Sequence, residues 1–181
     1  MSSGNKDLIV LFPGKSYSVD SPLLYYANFK YWAKGYESIE INYGDCLRKN
    51  LPQNEAIENI KIHAHEQIKD MDFSKYNEVL FVSKSIGTII AGWLTDKLDV
   101  NIRHLYLTPL SGTLQYIKNG KNISIVIAGT KDKHIDASVL SEHCKREKIK
   151  LELIEGANHS LEIIGDINTN IDILKRVVEL L

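Results

Sequence analysis

The chain has 181 residues, enough for one domain with a sizeable core, and its 44% hydrophobic and 25% charged content is that of an ordinary globular protein. Lys and Arg number 22 against 23 Asp and Glu, a net charge of −1 that offers no footprint for nucleic acid or another polyanion. Two cysteines, Cys46 and Cys144, are too few for a disulfide framework, and no apolar run approaches the roughly 20 residues that span a bilayer. The opening MSSGNKD has neither the basic nor the apolar region of a signal peptide, so a reduced, cytoplasmic setting without membrane contact is expected.

Strand and helix patterns alternate along the chain. Leu8 to Phe12 is an apolar run closed by Pro13-Gly14, and an aromatic-rich helix follows from Pro22 to Lys34, opened by Ser21-Pro22. Ser38 to Asn42 alternates as a short strand. Ile57, Ile60, Ala64, Ile68 and Met71 recur at the spacing of one helix face, which predicts a helix over Asn54 to Met71. Glu78 to Val82 is a second strand with a fully apolar end, followed by a helix over Ile86 to Leu98. Further strands are expected at His104 to Leu107, Ile123 to Ala128 and Lys150 to Ile154, with helices at Ala137 to Glu147 and Ile171 to Leu181. Strands apolar on both faces that alternate with helices predict an α/β fold. The expected form is a doubly wound, mostly parallel six-stranded sheet with helices on both faces, in a single domain over residues 1–181. Ligands bind such sheets beyond the carboxyl ends of the strands.

Four strand-end loops therefore carry the search. The sharpest is Ser83-Lys84-Ser85-Ile86-Gly87, where an apolar strand passes directly into a helical pattern. A strand that turns into a helix at a Ser, with Gly two places on, forms a nucleophile elbow. The strained turn lifts the hydroxyl off the sheet, and the Gly lets strand and helix backbones approach. Ser83 stands where the usual pattern has its first Gly, which leaves Ser85 as the candidate nucleophile. On this window alone, an ordinary turn with an N-capping Ser explains the residues equally well.

The other three loops supply the partners that acyl transfer requires. These are a base for the nucleophile's proton, a carboxylate to orient the base, and two N–H donors for the oxyanion. Phe12 to Ser18 follows the first strand, Gly129 to Asp136 the fifth, and Glu155 to Leu161 the sixth. They offer a backbone-donor loop, two carboxylates (Asp132 and Asp136, with His134 between them) and His159. The chain order is Ser, Asp, His.

With these motifs in place, the sequence resembles an α/β-hydrolase from Leu8 to Leu181. Phe12-Pro13-Gly14 is similar to the family's oxyanion loop, with Pro13 in the place where His is common. Ser85 matches the elbow nucleophile, Gly129-Thr130-Lys131-Asp132 the acid loop, and Gly156 to Glu162 the loop that bears the His. The resemblance implies a minimal member without the first antiparallel strands and without a cap, since Thr108 to Asn122 is too short to form one. It implies hydrolysis of a carboxylic ester or thioester through an acyl-enzyme on Ser85, with His159 as base and Asp132, rather than Asp136, as orienting acid. The backbone N–H of Ile86 would hold the oxyanion. A second donor would come from Lys15, with Gly14 and Ser16 as rivals.

Gly14, Tyr17 and Lys84 are the candidate substrate contacts. Lys84 either faces an anionic substrate or points away. His63 and His65 lie two apart on a helix, do not share a face, and read as solvated rather than as a metal pair. His104 reads as a packed strand residue, Cys46 follows no elbow, and Asp166 reads as a turn residue before the last helix. Tyr25, Tyr26, Tyr31 and Trp32 read partly as core. No G-x-G-x-x-G or P-loop pattern is present, so neither a nucleotide cofactor nor a metal is expected. The expected partner is a small-molecule acyl substrate. A non-catalytic hydrolase-like binding protein and a flavodoxin-like module are the competing readings, and nothing in the sequence bears on oligomeric state.

Overall fold

The two apolar runs that end at Pro13-Gly14 and at Ser85 become neighbouring strands at the centre of one sheet. The computed structural model describes residues 6–47 and 52–181. Strands β1 (Lys6–Phe12), β2 (Glu37–Glu40), β3 (Tyr76–Lys84), β4 (Ile102–Leu107), β5 (Ile123–Gly129) and β6 (Leu151–Ile154) line up in the order β2-β1-β3-β4-β5-β6. Every pairing is parallel, so the sheet goes one step beyond the mostly parallel one expected. The residues of the N-terminal signal-peptide reading lie, for 1–5, outside the described residues.

Alternation along the strands explains why both faces need cover. Leu8, Val10 and Phe12 point to one side and Ile9 and Leu11 to the other, and all five are fully buried. Each such side chain is worth roughly 1.5–3 kcal/mol relative to exposure. Helices α2 (Gln53–Ile68), α3 (Ile86–Thr95) and α4 (Ala137–Glu147) cover the first face through Ile60, Ala64, Ile68, Ile90, Leu94, Leu140 and Cys144. Helices α1 (Pro22–Trp32) and α5 (Ile167–Leu180) cover the second through Leu24, Ala27, Tyr31, Ile173 and Val177. Among the described residues no helix is long and apolar enough to cross a membrane.

Element ends differ from expectation for local reasons. Helix α1 stops at Trp32 because Gly35 takes a left-handed turn (φ 92°) and its N–H returns to the Trp32 carbonyl. Helix α5 begins four residues earlier than its periodicity indicated, because the Asp166 side chain caps the Thr169 N–H at 3.0 Å. Of the aromatic group on α1, Tyr31 is core, whereas Tyr25, Tyr26 and Trp32 are exposed. Between β4 and β5 the chain forms only a short 3₁₀ turn, Ser111–Thr113, and no cap.

The chain runs from β1 outward to β2 and then back across β1 to β3. The loops after β1 and β3 therefore part in opposite directions, and the crevice between them is the switch point at which such sheets bind ligands. Helix α3 leaves β3 tight against the end of β1. A Cβ at Gly87 would sit 2.7 Å from the Pro13 carbonyl oxygen and closer still to that of Phe12. Both obstacles are backbone, so they cannot rotate away. Gly87→Ala is expected to lower the urea midpoint by the equivalent of about 1–3 kcal/mol or more. An unchanged midpoint would contradict this account of the packing.

Candidate active site

Ser85 sits between the end of β3 and the start of α3 with φ 56° and ψ −121°, far from the conformations that L-residues favour. The strain, of order 1–3 kcal/mol, persists because both sides are tied. The Ser85 N–H extends the sheet ladder to the Leu107 carbonyl (3.1 Å), and its own carbonyl accepts from the Thr88 N–H (3.0 Å) and hydroxyl (2.6 Å). The side chain makes no capping bond to α3, so the hydroxyl is free to face elsewhere.

It faces His159. The Ser85 Oγ lies 2.8 Å from His159 Nε2, and His159 Nδ1 lies 2.6 Å from Asp132 Oδ2. An ionised carboxylate only accepts, which assigns the neutral imidazole proton to Nδ1 and lets the Ser85 hydroxyl donate to Nε2. The second carboxylate oxygen of Asp132 accepts the His134 N–H at 2.8 Å. Burial pushes the Asp132 carboxyl up, but the His159 and His134 hydrogen bonds outweigh it and hold the group below the ordinary aspartate range. The Asp132 side chain is fully buried, whereas that of His159 keeps 24% exposure toward the cleft.

Neighbouring strands bring these loops together. The Lys131 N–H bonds the Ala157 carbonyl (2.9 Å) and the Gly156 N–H bonds Thr130 Oγ1 (2.8 Å), stitching the loop after β5 to the loop after β6. Within the latter, Asn158 Oδ1 accepts from the N–H groups of Ser160 (2.7 Å) and Glu162 (3.2 Å), shaping the turn that presents His159. Asp136 takes another part. Its exposed carboxylate caps α4 by accepting from Ser138 and Val139. The His134 ring packs on that of His159, with centroids 4.3 Å apart.

A cleft of about 570 Å³ opens over Ser85, lined by Gly14, Tyr17, Lys84, Ile86, Leu110 and His134 among others. Ile86 is the first residue of α3, where a backbone N–H has no intrahelical acceptor. The Gly14 N–H is taken by the Tyr17 carbonyl at 2.9 Å, which removes it as an anion donor. Lys15 and Ser16 lie on the same wall, and among the described residues their N–H groups meet no acceptor. Tyr17 is anchored by accepting the Leu23 N–H (2.9 Å), and burial pushes its phenol up to about 12.

Lys84 turns its ammonium toward the ends of two other strands. Its side chain is buried, 1% exposed, and its Nζ donates to Thr108 Oγ1 and, at 2.6 Å, to the His159 carbonyl. Desolvation pulls the ammonium down to about 7, against the opposing pull of the Asp132 and Glu162 charges.

The remaining candidates stand apart. His63 is exposed, but His65 is half-buried and edge-on to Trp93 rather than solvated. His104 is buried and bonded to Thr95 Oγ1 at 2.9 Å. Among the described residues no three His, Cys, Asp or Glu side chains group as metal ligands. Cys46 lines the cleft without contacting Ser85, Asp132 or His159 through a hydrogen bond. Thr108, Asn158 and Leu110 belong to the site but carry no catalytic motif of their own. Only the Asn two before Ser160, an Asx-turn pattern, was a signal in the sequence.

No family model matches the chain, and no curated protein matches it either. Solved structures do. A structure from Xanthomonas campestris, assigned to the hydrolases of the alpha/beta superfamily, shares 14% identity with a TM-score of 0.69, covering 97% of this chain and 98% of that one. The fold is that of the α/β-hydrolases. An alpha-beta serine hydrolase homologue from Coxiella burnetii (11% identity, TM-score 0.62) covers 98% of this chain and 86% of its own. The Pyrococcus furiosus esterase Pf2001 (13%, 0.65) covers 99% and 83%. At these identities the likeness concerns the α/β-hydrolase fold, and the chemistry rests on the residues above.

The depressed carboxyl of Asp132 has a consequence for stability. Its folded value lies below the unfolded one of about 3.9, so its contribution is fully present above that pH and is lost as pH falls through the folded value. Asp132→Asn is therefore expected to be destabilised at pH 7, with the gap to wild type closing as pH falls through the folded value. Urea denaturation at stepped pH measures this, and a gap that stays constant would contradict it.

Proposed function

We propose that the protein is a serine hydrolase that cleaves carboxylic esters or thioesters through an acyl-enzyme on Ser85. The observation that carries the reading is the unbroken hydrogen-bonded chain from Asp132 through His159 to Ser85, with Ser85 in a strained turn at the floor of a cleft. Neighbours of the same fold that include a serine hydrolase homologue and an esterase add support.

In this reading the Ser85 oxygen attacks the substrate carbonyl carbon while its proton passes to His159 Nε2. The charge gathering on the carbonyl oxygen is taken by the N–H of Ile86, at the positive end of α3, and by that of Lys15. Asp132 stabilises the imidazolium and keeps its ring in register. The imidazolium then gives its proton to the departing alkoxide or thiolate as the carbon–oxygen or carbon–sulfur bond breaks. Water, deprotonated by the same Nε2, attacks the acyl-enzyme, and collapse of the adduct returns the proton to Ser85 and releases the acid. Gly14 and Tyr17 form the wall against which the acyl or leaving group rests.

A fluorophosphonate probe tests the assignment. Wild type is expected to take up one label and Ser85→Ala none, and absence of label on folded wild type would favour a non-catalytic small-molecule-binding or partner-binding protein. His159→Ala is expected to lower kcat/KM on p-nitrophenyl acetate about 10³-fold or more. Retained turnover would remove His159 as the base.

A further inference from the structure

Lys84 precedes the candidate nucleophile and is the charged residue most fully enclosed in the described core. Burying an ammonium is costly unless its protons find acceptors. Those acceptors belong to two other strand ends: the Thr108 hydroxyl beyond β4 and the carbonyl oxygen of His159 beyond β6. Among the described residues no carboxylate lies within ion-pair distance of Nζ, and Asp132 and Glu162 act on it only through space. The ring of Tyr17 closes the remaining side at 5.0 Å. The arrangement is a tether made to neutral oxygens, not a salt bridge.

Both anchors show constraint. Thr108 is held at φ 41°, an outlier for a β-branched residue, while its N–H bonds the Ile127 carbonyl at 2.7 Å. In the His159 loop, Asn158 closes the turn upon itself through Ser160 and Glu162. That turn fixes the loop's shape, and Lys84 ties the loop's backbone to the strand that carries Ser85. The imidazole and the hydroxyl are 74 residues apart in sequence, and the Lys84 bond to the His159 carbonyl runs alongside the one between them.

We propose that Lys84 is a positioning residue, setting the place of the His159 imidazole over Ser85 by tying the His159 carbonyl to β3 and to Thr108. Its kinetic consequence rests on the acyl-transfer reading, whereas its geometric consequence does not. Lys84→Met keeps the length and removes the donors. Thr108→Val keeps the β-branch and removes only the anchor, and Thr108→Ser restores a hydroxyl.

The test joins two readouts on the full chain. The first is the ¹⁵N spectrum of the His159 ring, which reports the Nδ1–H bond to Asp132 without any turnover. The second is steady-state hydrolysis of p-nitrophenyl acetate. Lys84→Met is expected to shift or broaden the His159 ring signals and to lower kcat 10- to 100-fold, with KM within about twofold. Thr108→Val is expected to act in the same direction, about threefold or more, and Thr108→Ser to recover most of that loss. A ring spectrum and kcat matching wild type in Lys84→Met would overturn the proposal. Should Lys84→Met fail to fold, the same null result in Thr108→Val would overturn it. Should wild type turn over no ester, the acyl-transfer reading falls, and the ring spectrum alone decides the tether.

Discussion

The backbone of Ser85, forced into a positive φ between a sheet ladder and a helix, is the constraint on which the rest of the site depends. Its N–H cannot leave the Leu107 carbonyl without shortening the β3–β4 ladder, and its carbonyl cannot leave Thr88 without fraying α3. The strained conformation is what remains when both ties are kept. It directs the hydroxyl away from the helix it would otherwise cap and toward the crevice between the loops after β1 and β3. Gly87 makes the geometry possible, since any Cβ there would strike the backbone of Phe12 and Pro13.

Around that fixed point the sheet does the assembling. Parallel strands all release their loops at one edge, so residues 85, 132 and 159 meet although the chain between them forms three further strands and two α-helices. The loops after β5 and β6 are bonded to each other before either reaches Ser85. That shared framework buries the Asp132 side chain and turns the His159 ring so that Nδ1 faces the carboxylate and Nε2 the hydroxyl. Lys84 adds a third tie, from the strand that carries Ser85 to the carbonyl of the residue that carries the imidazole.

Much of this was legible in the sequence because the signals are local. Ser85-Ile86-Gly87 marks the turn by residue type alone, and the apolar runs before each loop mark which ends of the strands face the site. The parallel sheet follows from strands apolar on both faces. What could not be read depends on contacts between distant segments. The sequence left the direction of the Lys84 side chain open, and only the ends of β4 and β6 show why its ammonium is enclosed. The resemblance singled out Asp132 over Asp136 without a physical reason; in the structure the one is buried beside His159 and the other caps α4. The N-terminus of α5 was missed because Asn168 and Asn170 broke the apolar period, while the Asp166 cap, which outweighs that break, acts through a side chain. The aromatic stretch on α1 divided for the same reason: only Tyr31 meets the sheet.

A covalent acyl-enzyme is the species that this arrangement of Ser85, His159 and Asp132 would form. Rapid acid quench during turnover of a p-nitrophenyl ester, followed by intact-mass and peptide analysis, should find one acyl group per chain on the peptide that contains Ser85. Turnover that proceeds with no acyl adduct, or with the adduct on another residue, would contradict it.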